Sequence, residues 1–138
     1  MNIEESLQFL AKHQPMPSDL EITNVQCDLF VASLELFQNS HDVRCIPLFM
    51  NCVSEHTGMG MYEIIADVLM NQDRVNVIRG LRDGLQSNDI AIKYRCCWWA
   101  LELDAWELLP IIEPLVNSDN EDLRDASEAY VNIAGENV

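Results

Sequence analysis

The sequence predicts an all-α chain of about eight helices in four antiparallel hairpins, and three observations predict it. Apolar residues recur three and four positions apart almost throughout the 138 residues. No stretch shows the Val/Ile/Thr alternation of half-buried strands. Only five Gly and five Pro interrupt the chain.

Ile3, Leu7, Phe9 and Leu10 predict a short first helix ending before Pro15 and Pro17. Ser18 or Asp19 caps the second, whose apolar stripe is Ile22, Val25, Leu29, Phe30, Leu34 and Phe37. Ser40 and Asp42 open a third, carrying Val43, Ile46, Phe49, Met50 and Val53. Thr57-Gly58-Met59-Gly60 breaks the pattern before a fourth, with Met61, Ile64, Ile65, Val68 and Leu69. Val75, Ile78, Leu81, Arg82 and Leu85 belong to the next, and Gln86-Ser87-Asn88-Asp89 is a turn with capping residues. Ile92, Cys96, Trp99, Ala100 and Leu103 face it from the following helix. Asp104 starts another through Leu108, Leu109, Ile112, Leu115 and Val116, interrupted by Pro110 and Pro114. After Ser118-Asp119-Asn120, Leu123, Ser127, Tyr130 and Ile133 mark the last.

A repeat underlies the second half. Leu85-Gln86-Ser87, a turn and Ile92-Lys93 superpose on Leu115-Val116-Asn117-Ser118, a turn and Leu123-Arg124. Three residues after each basic residue comes a small one, Cys96 or Ser127, and the offset from Ile92 to Leu123 is 31 residues. A helical hairpin cannot bury its apolar face alone, so copies stack, and small residues allow close approach.

This pattern resembles the HEAT and HEAT-like repeat, with Lys93 and Arg124 at the basic position and Ser87 and Ser118 near the turn position where Asp is usual. The resemblance is carried by residues 74–135, loosely by the Asp42–Gln72 hairpin, and not by residues 1–39. It implies a short right-handed α-solenoid, taken here as one domain over residues 1–138. Fold alone then says scaffold.

The chain carries 23 acids against 8 bases, a net charge of -15. Phosphate neutralisation needs clustered Lys and Arg, so nucleic acid is excluded as a partner, and an anionic membrane surface repels such a chain. No apolar run approaches the ~20 residues of a membrane span, and the N-terminus lacks the basic and apolar regions of a signal peptide. The five cysteines are odd in number, include the adjacent pair Cys96-Cys97, and form no CxxC motif. Neither a disulfide framework nor a zinc knuckle is suggested, and a reduced cytoplasmic protein is expected.

Candidate chemistry is sparse. Cys52 and His56 are four apart and could present two metal ligands on one helical face, but further ligands lack comparable spacing. The single pair Glu55-His56 reverses the His-Glu order of HEAT-like hydroxylases of the deoxyhypusine type, so that resemblance fails. Cys45 lies near Arg44 and His41 in otherwise apolar surroundings, and Cys96-Cys97 occupy the small core position of the repeat. No GxSxG, P-loop, GxGxxG or HExxH pattern occurs, and Asp119 to Glu128 lacks the glycine and alternation of a calcium loop. No catalytic residue, cofactor, metal or small-molecule substrate is expected, and the chain reads as a binder rather than an enzyme.

Surface features favour protein binding. Trp98 and Trp99 project about 100° apart on a helix, so Trp99 belongs to the buried stripe and Trp98 to the exposed side, as an interface anchor or as filler against the neighbouring hairpin. From Leu101 onwards there are ten acids and one base, Arg124, whereas Arg74 to Arg95 carries five bases against Asp83 and Asp89. The segment Arg44-Cys45-Ile46-Pro47-Leu48-Phe49, leading to Gly58-Met59-Gly60-Met61-Tyr62-Glu63, resembles part of bacterial toxin immunity proteins of the contact-dependent growth inhibition type. That resemblance implies inhibition by occlusion: an acidic surface covering a basic toxin, a nuclease domain above all. The contact residues expected are Tyr62, Asp67, Trp98, Glu102, Asp125 and Glu128. A HEAT-like adaptor or assembly factor is the alternative.

Overall fold

The computed structural model describes residues 1–55 and 57–137 and is helical, with no strand among them. Its α-helices are α1 (Ile3–Ala11), α2 (Asn24–Asn39), α3 (Cys45–Met50), α4 (Met61–Asn71), α5 (Arg74–Leu85), α6 (Ile90–Glu102), α7 (Leu109–Ile112) and α8 (Glu121–Asn137). The chain divides into two compact units, Met1–Val77 and Ile78–Val138, with the boundary inside α5.

In the first unit, α1 starts at a capping box in which Asn2 and Glu5 exchange side-chain and backbone bonds. The second helix begins later than its expected caps, because Thr23 and Gln26 form another capping box. Ser18 instead closes a turn through its carbonyl, and Asp19 binds the 57–58 loop through Thr57 Oγ1 (2.9 Å) and the Gly58 N–H (2.8 Å). Ile22 therefore precedes the helix, and Val25 is 66% exposed. The third helix is only six residues long and leaves Val43 and Val53 outside it. Phe30, Phe37, Phe49 and Tyr62 form the aromatic centre, with edge-to-face pairs at 5.9–6.1 Å. At the expected break, Gly58, Met59 and Gly60 all have positive φ.

In the second unit, α6 packs against α8, and α8 against the segment before it. The helix expected from Asp104 is broken into a 3-10 turn (Trp106–Leu108), α7 and a second 3-10 turn (Glu113–Asn117). Pro110 and Pro114 remove backbone donors there, and Asp104 itself takes a left-handed φ of 52°. Trp99, Tyr130, Leu108, Ile112, Leu123, Cys96 and Cys97 are buried. The 31-residue repeat has a physical counterpart at both turns. Ser87 Oγ accepts the Asp89 N–H (3.0 Å) and Ser118 Oγ the Asn120 N–H (3.1 Å). The same two residues then cap the helices: Asp89 Oδ1 accepts from Ala91 and Ile92 at the start of α6, and Asn120 Oδ1 from Leu123 at the start of α8. Ile92 and Leu123, Cys96 and Ser127, Trp99 and Tyr130 are buried in equivalent pairs.

Candidate functional site

Of the residues expected to meet a partner, Trp98, Glu102, Asp125 and Glu128 lie in the second unit, and Asp67 and Tyr62 on α4 of the first. Asp67, Glu102, Asp125 and Glu128 are exposed, and Trp98 is half-buried. Tyr62 is fully buried and is a correction: its ring packs against Phe30 and under Gly58, and its hydroxyl shares a 3.1 Å hydrogen bond with Ser54. Burial pushes its phenol pKa up, which suits a core group.

The sequence of α8 sorts charge from core cleanly. Leu123, Ala126, Ser127, Tyr130 and Ala134 make the buried stripe, and Glu121, Asp125, Glu128 and Asn132, at helical spacings of four, three and four, form an exposed row opposite it. The one base nearby, Arg124, donates instead to the Ser118 carbonyl at 3.4 Å. Glu121, Asp125 and Glu128 take no part in an ion pair among the described residues.

On α6, Trp99 is 1% exposed, as expected for the core tryptophan, while Tyr94 and Trp98 stand one turn apart and half-buried. Their rings meet edge to face at 6.5 Å, and the Arg95 guanidinium lies 5.2 Å from the Tyr94 centroid. Sequence reasoning missed Tyr94; its position four residues before Trp98 was the signal.

Acidity by itself does not select this unit. Residues 1–73 carry eleven acids against Lys12 and Arg44, and five of the eight bases fall between Arg74 and Arg95. The acid-rich segment past residue 100 is matched by an equally acid-rich N-terminal half, so the aromatic pair on α6 is what distinguishes the second unit.

The metal reading finds no support in position. Cys52 lies past the end of α3, is fully buried and donates to the Phe49 carbonyl, and His56 lies outside the described residues. Among the described residues no group of three His, Cys, Asp or Glu is placed to hold a metal. All five cysteines are free. Burial raises the thiol pKa of Cys45 and Cys97 to about 12 and pushes Cys52 and Cys96 up as well, which suppresses the thiolate a nucleophile needs.

An open cleft of about 590 Å³ in the first unit is lined by Lys12, His13, Met16, Glu21, Gln26 and Glu55 among others. Its histidine is committed on both sides. His13 Nδ1 lies 2.7 Å from the Phe9 carbonyl, and Nε2 lies 3.3 Å from the Gln26 amide nitrogen. The Gln26 oxygen accepts the Thr23 N–H, which leaves its amide nitrogen towards His13. Among the described residues no helix is long and apolar enough to cross a membrane. No protein-family model, curated protein or solved structure matches the chain.

Proposed function

We propose that the protein is a cytoplasmic immunity protein that binds a basic toxin domain, a nuclease above all, and neutralises it by occlusion with an acidic surface. The observation that supports this reading is the outward row Glu121, Asp125 and Glu128 on α8, which takes part in no ion pair among the described residues, with the half-buried Trp98 on α6, the helix packed against α8. A nuclease cleft is built to attract phosphates, and ordered carboxylates compete for the same cations. Net charge of -15 raises the association rate with such a partner, which a protective inhibitor requires. The solenoid arrangement implied by the HEAT-like resemblance would present α6 and α8 side by side, and the repeated Ser-x-Asp/Asn turns are consistent with it.

The test uses the purified full chain and the C-terminal domain of the protein encoded beside it. Co-elution from a sizing column and protection of cells from that domain are the expected results. Reversing Asp125 and Glu128 to Lys should weaken the complex by well over tenfold, because buried charge pairs become repulsive. Absence of co-elution at micromolar concentrations, with toxicity undiminished, would overturn the reading.

A further inference from the structure

We propose that the tied turns at residues 18–22 and 58–61 form a second docking surface, on the first unit, for a basic segment of a protein partner. An apolar side chain of that segment covers Leu20 and Met59, and a Lys or Arg beside it enters the adjoining cleft, where Glu21 and Glu55 meet its charge. The surface stands on its own geometry, whereas the choice of a basic partner rests on the reading proposed above.

Two segments far apart in sequence are tied side by side. The Met16 N–H donates to the Cys52 carbonyl at 2.7 Å, and the Asp19 carboxylate accepts the Thr57 hydroxyl and the Gly58 N–H at 2.9 and 2.8 Å. Each segment then closes a turn. The Glu21 and Ile22 N–H groups donate to the Ser18 carbonyl, and the Met61 N–H donates to that of Gly58. Leu20 and Met59 each stand one residue past the Asp19–Gly58 bond, 93% and 62% exposed. Leu20 is the most exposed large apolar side chain among the described residues. Met59 is also costly to hold. Its φ of 53° is left-handed, a region that Gly, Asn and Asp tolerate and an apolar side chain rarely enters. The other non-glycine residue with positive φ is Asp104, of a tolerant type. A strained backbone that carries an exposed apolar side chain points to a role outside the chain's own packing.

The surroundings of the pair select its occupant. Glu21, next to Leu20, and Glu55 both line the cleft of about 590 Å³ that the same two segments wall. Neither takes part in an ion pair among the described residues, and nor does Glu63 in the first turn of α4. Lys12 is the one Lys or Arg among the described residues lining the cleft. Pro15 and Pro17 in its wall suit the methylene stem of a long cationic side chain, and the two carboxylates suit its head. The net charge of -15 repels a second copy of the chain and an anionic membrane from this surface, and attracts a basic protein to it.

The test uses the full chain with methyl-labelled methionine and two peptides of equal charge, Arg-Leu-Arg-Leu-Arg and Arg-Ser-Arg-Ser-Arg, with blocked termini. The leucine peptide should bind about three- to tenfold more tightly. It should shift the Met59 methyl resonance and leave that of Met70, exposed on α4, in place. Met59→Gly should abolish the preference without lowering the unfolding midpoint, because glycine accepts the left-handed turn, so the loss cannot come from misfolding. Leu20→Ser should abolish it too. Glu21→Gln combined with Glu55→Gln should weaken both peptides about two- to fivefold and leave their ratio unchanged. Equal affinity for the two peptides, or a preference that survives Met59→Gly and Leu20→Ser, would overturn the proposal. So would a Met59 resonance that moves with protein concentration alone, which would assign the pair to a second copy. If the neighbour-encoded domain binds and Met59→Gly and Leu20→Ser leave its affinity unchanged, the surface falls and the immunity reading stands. If the peptides discriminate at Met59 and that domain does not bind, the surface stands and the immunity reading falls.

Discussion

The two units bury helices of similar kind but hold them by different means. In Met1–Val77 the cross-links are polar and reach far along the chain. Gln72 donates to the Phe37 and Ser40 carbonyls (2.8 and 2.9 Å) and accepts the Asp42 N–H (3.0 Å). Gln14 reaches the Leu48 carbonyl, Ser6 bonds Ser33 inside the core at 2.6 Å, and Asp19 ties the 57–58 loop. In Ile78–Val138 local caps recur at 31 residues, and a long-range bond joins the Tyr130 hydroxyl to the Ala105 carbonyl. The first unit is individually specified, contact by contact. The second repeats one local device at its two turns.

Glycine substitution should expose the difference most strongly. A Cβ on Gly58 would sit 2.5 Å from the Tyr62 ring, and the backbone φ there is +62°. Gly58→Ala is expected to cost about 3 kcal/mol or more in urea unfolding, from crowding and left-handed strain together. A Cβ on Gly84 would lie 2.5 Å from Cys96 Sγ, with no positive φ involved. Gly84→Ala should cost about 1–3 kcal/mol. A double-mutant cycle separates the two causes: Cys96→Ala should recover most of the Gly84→Ala loss, whereas no change at Tyr62 removes the φ strain at Gly58. Equal recovery in both cycles would mean that the two close approaches are the same kind of contact.

Gln72→Leu tests the long-range links. It removes three hydrogen bonds, taking the amide donor from the Ser40 carbonyl while Phe37 keeps that of Asn71, so an unfolding loss of about 2–3 kcal/mol is expected. A loss below ~0.5 kcal/mol would show that water replaces the amide and that this joint is not a specific tie.

This contrast also explains what the sequence made legible. The second unit's repeat was readable because its signals are local: Ser87-x-Asp89 and Ser118-x-Asn120 are short patterns whose bonds close within three residues. The helical class was readable from periodicity for the same reason. The start of α2 was misplaced because Ser18, Asp19 and Thr23 are all competent caps, and what removed Asp19 from the choice was a loop 39 residues away. Tyr62 read as surface because the stripe Met61, Ile64, Ile65, Val68 and Leu69 left it out, whereas Ile64 is the exposed member and Tyr62 the buried one. Only the fold shows that Gly58 and Phe30 enclose its ring. At the candidate site, Trp98 and the acids were legible from helical spacing, but Tyr94 beside Trp98 was not singled out until the rings were seen to meet.

In the second unit the Tyr130 hydroxyl is a tie that departs from local capping. Tyr130→Phe should cost about 1 kcal/mol near neutral pH, because the buried Ala105 carbonyl loses one of its two donors and keeps the Leu108 N–H. Burial, assisted by the Glu107 carboxylate, raises the Tyr130 phenol from 10 to about 12. The folded state thus favours the neutral phenol. Its contribution is complete below pH 10 and is lost as pH rises towards 12. The variant should show a flatter fall in stability across that window than the parent, whose slope also includes Tyr62, Cys45 and Cys97, all raised in the same direction.

The smallest expected effect bears on whether the repeat is energetic or only a matter of pattern. Asp89→Ala and Asn120→Ala each remove an N-cap, at about 1 kcal/mol apiece. Asp89 should cost somewhat more, because its carboxylate caps two N–H groups of α6 and complements the positive end of the helix. Asn120→Asp separates charge from geometry. The new carboxylate would keep the bond to Leu123 but stand beside Asp119, Glu121 and Asp122, whose repulsion offsets the dipole gain. At low salt the substitution should therefore be neutral or slightly destabilising, and at high salt it should become neutral or stabilising as the acids are screened. A gain at low salt would mean that the acids at the start of α8 do not repel one another as their spacing requires, and the same acids are those offered to a basic partner.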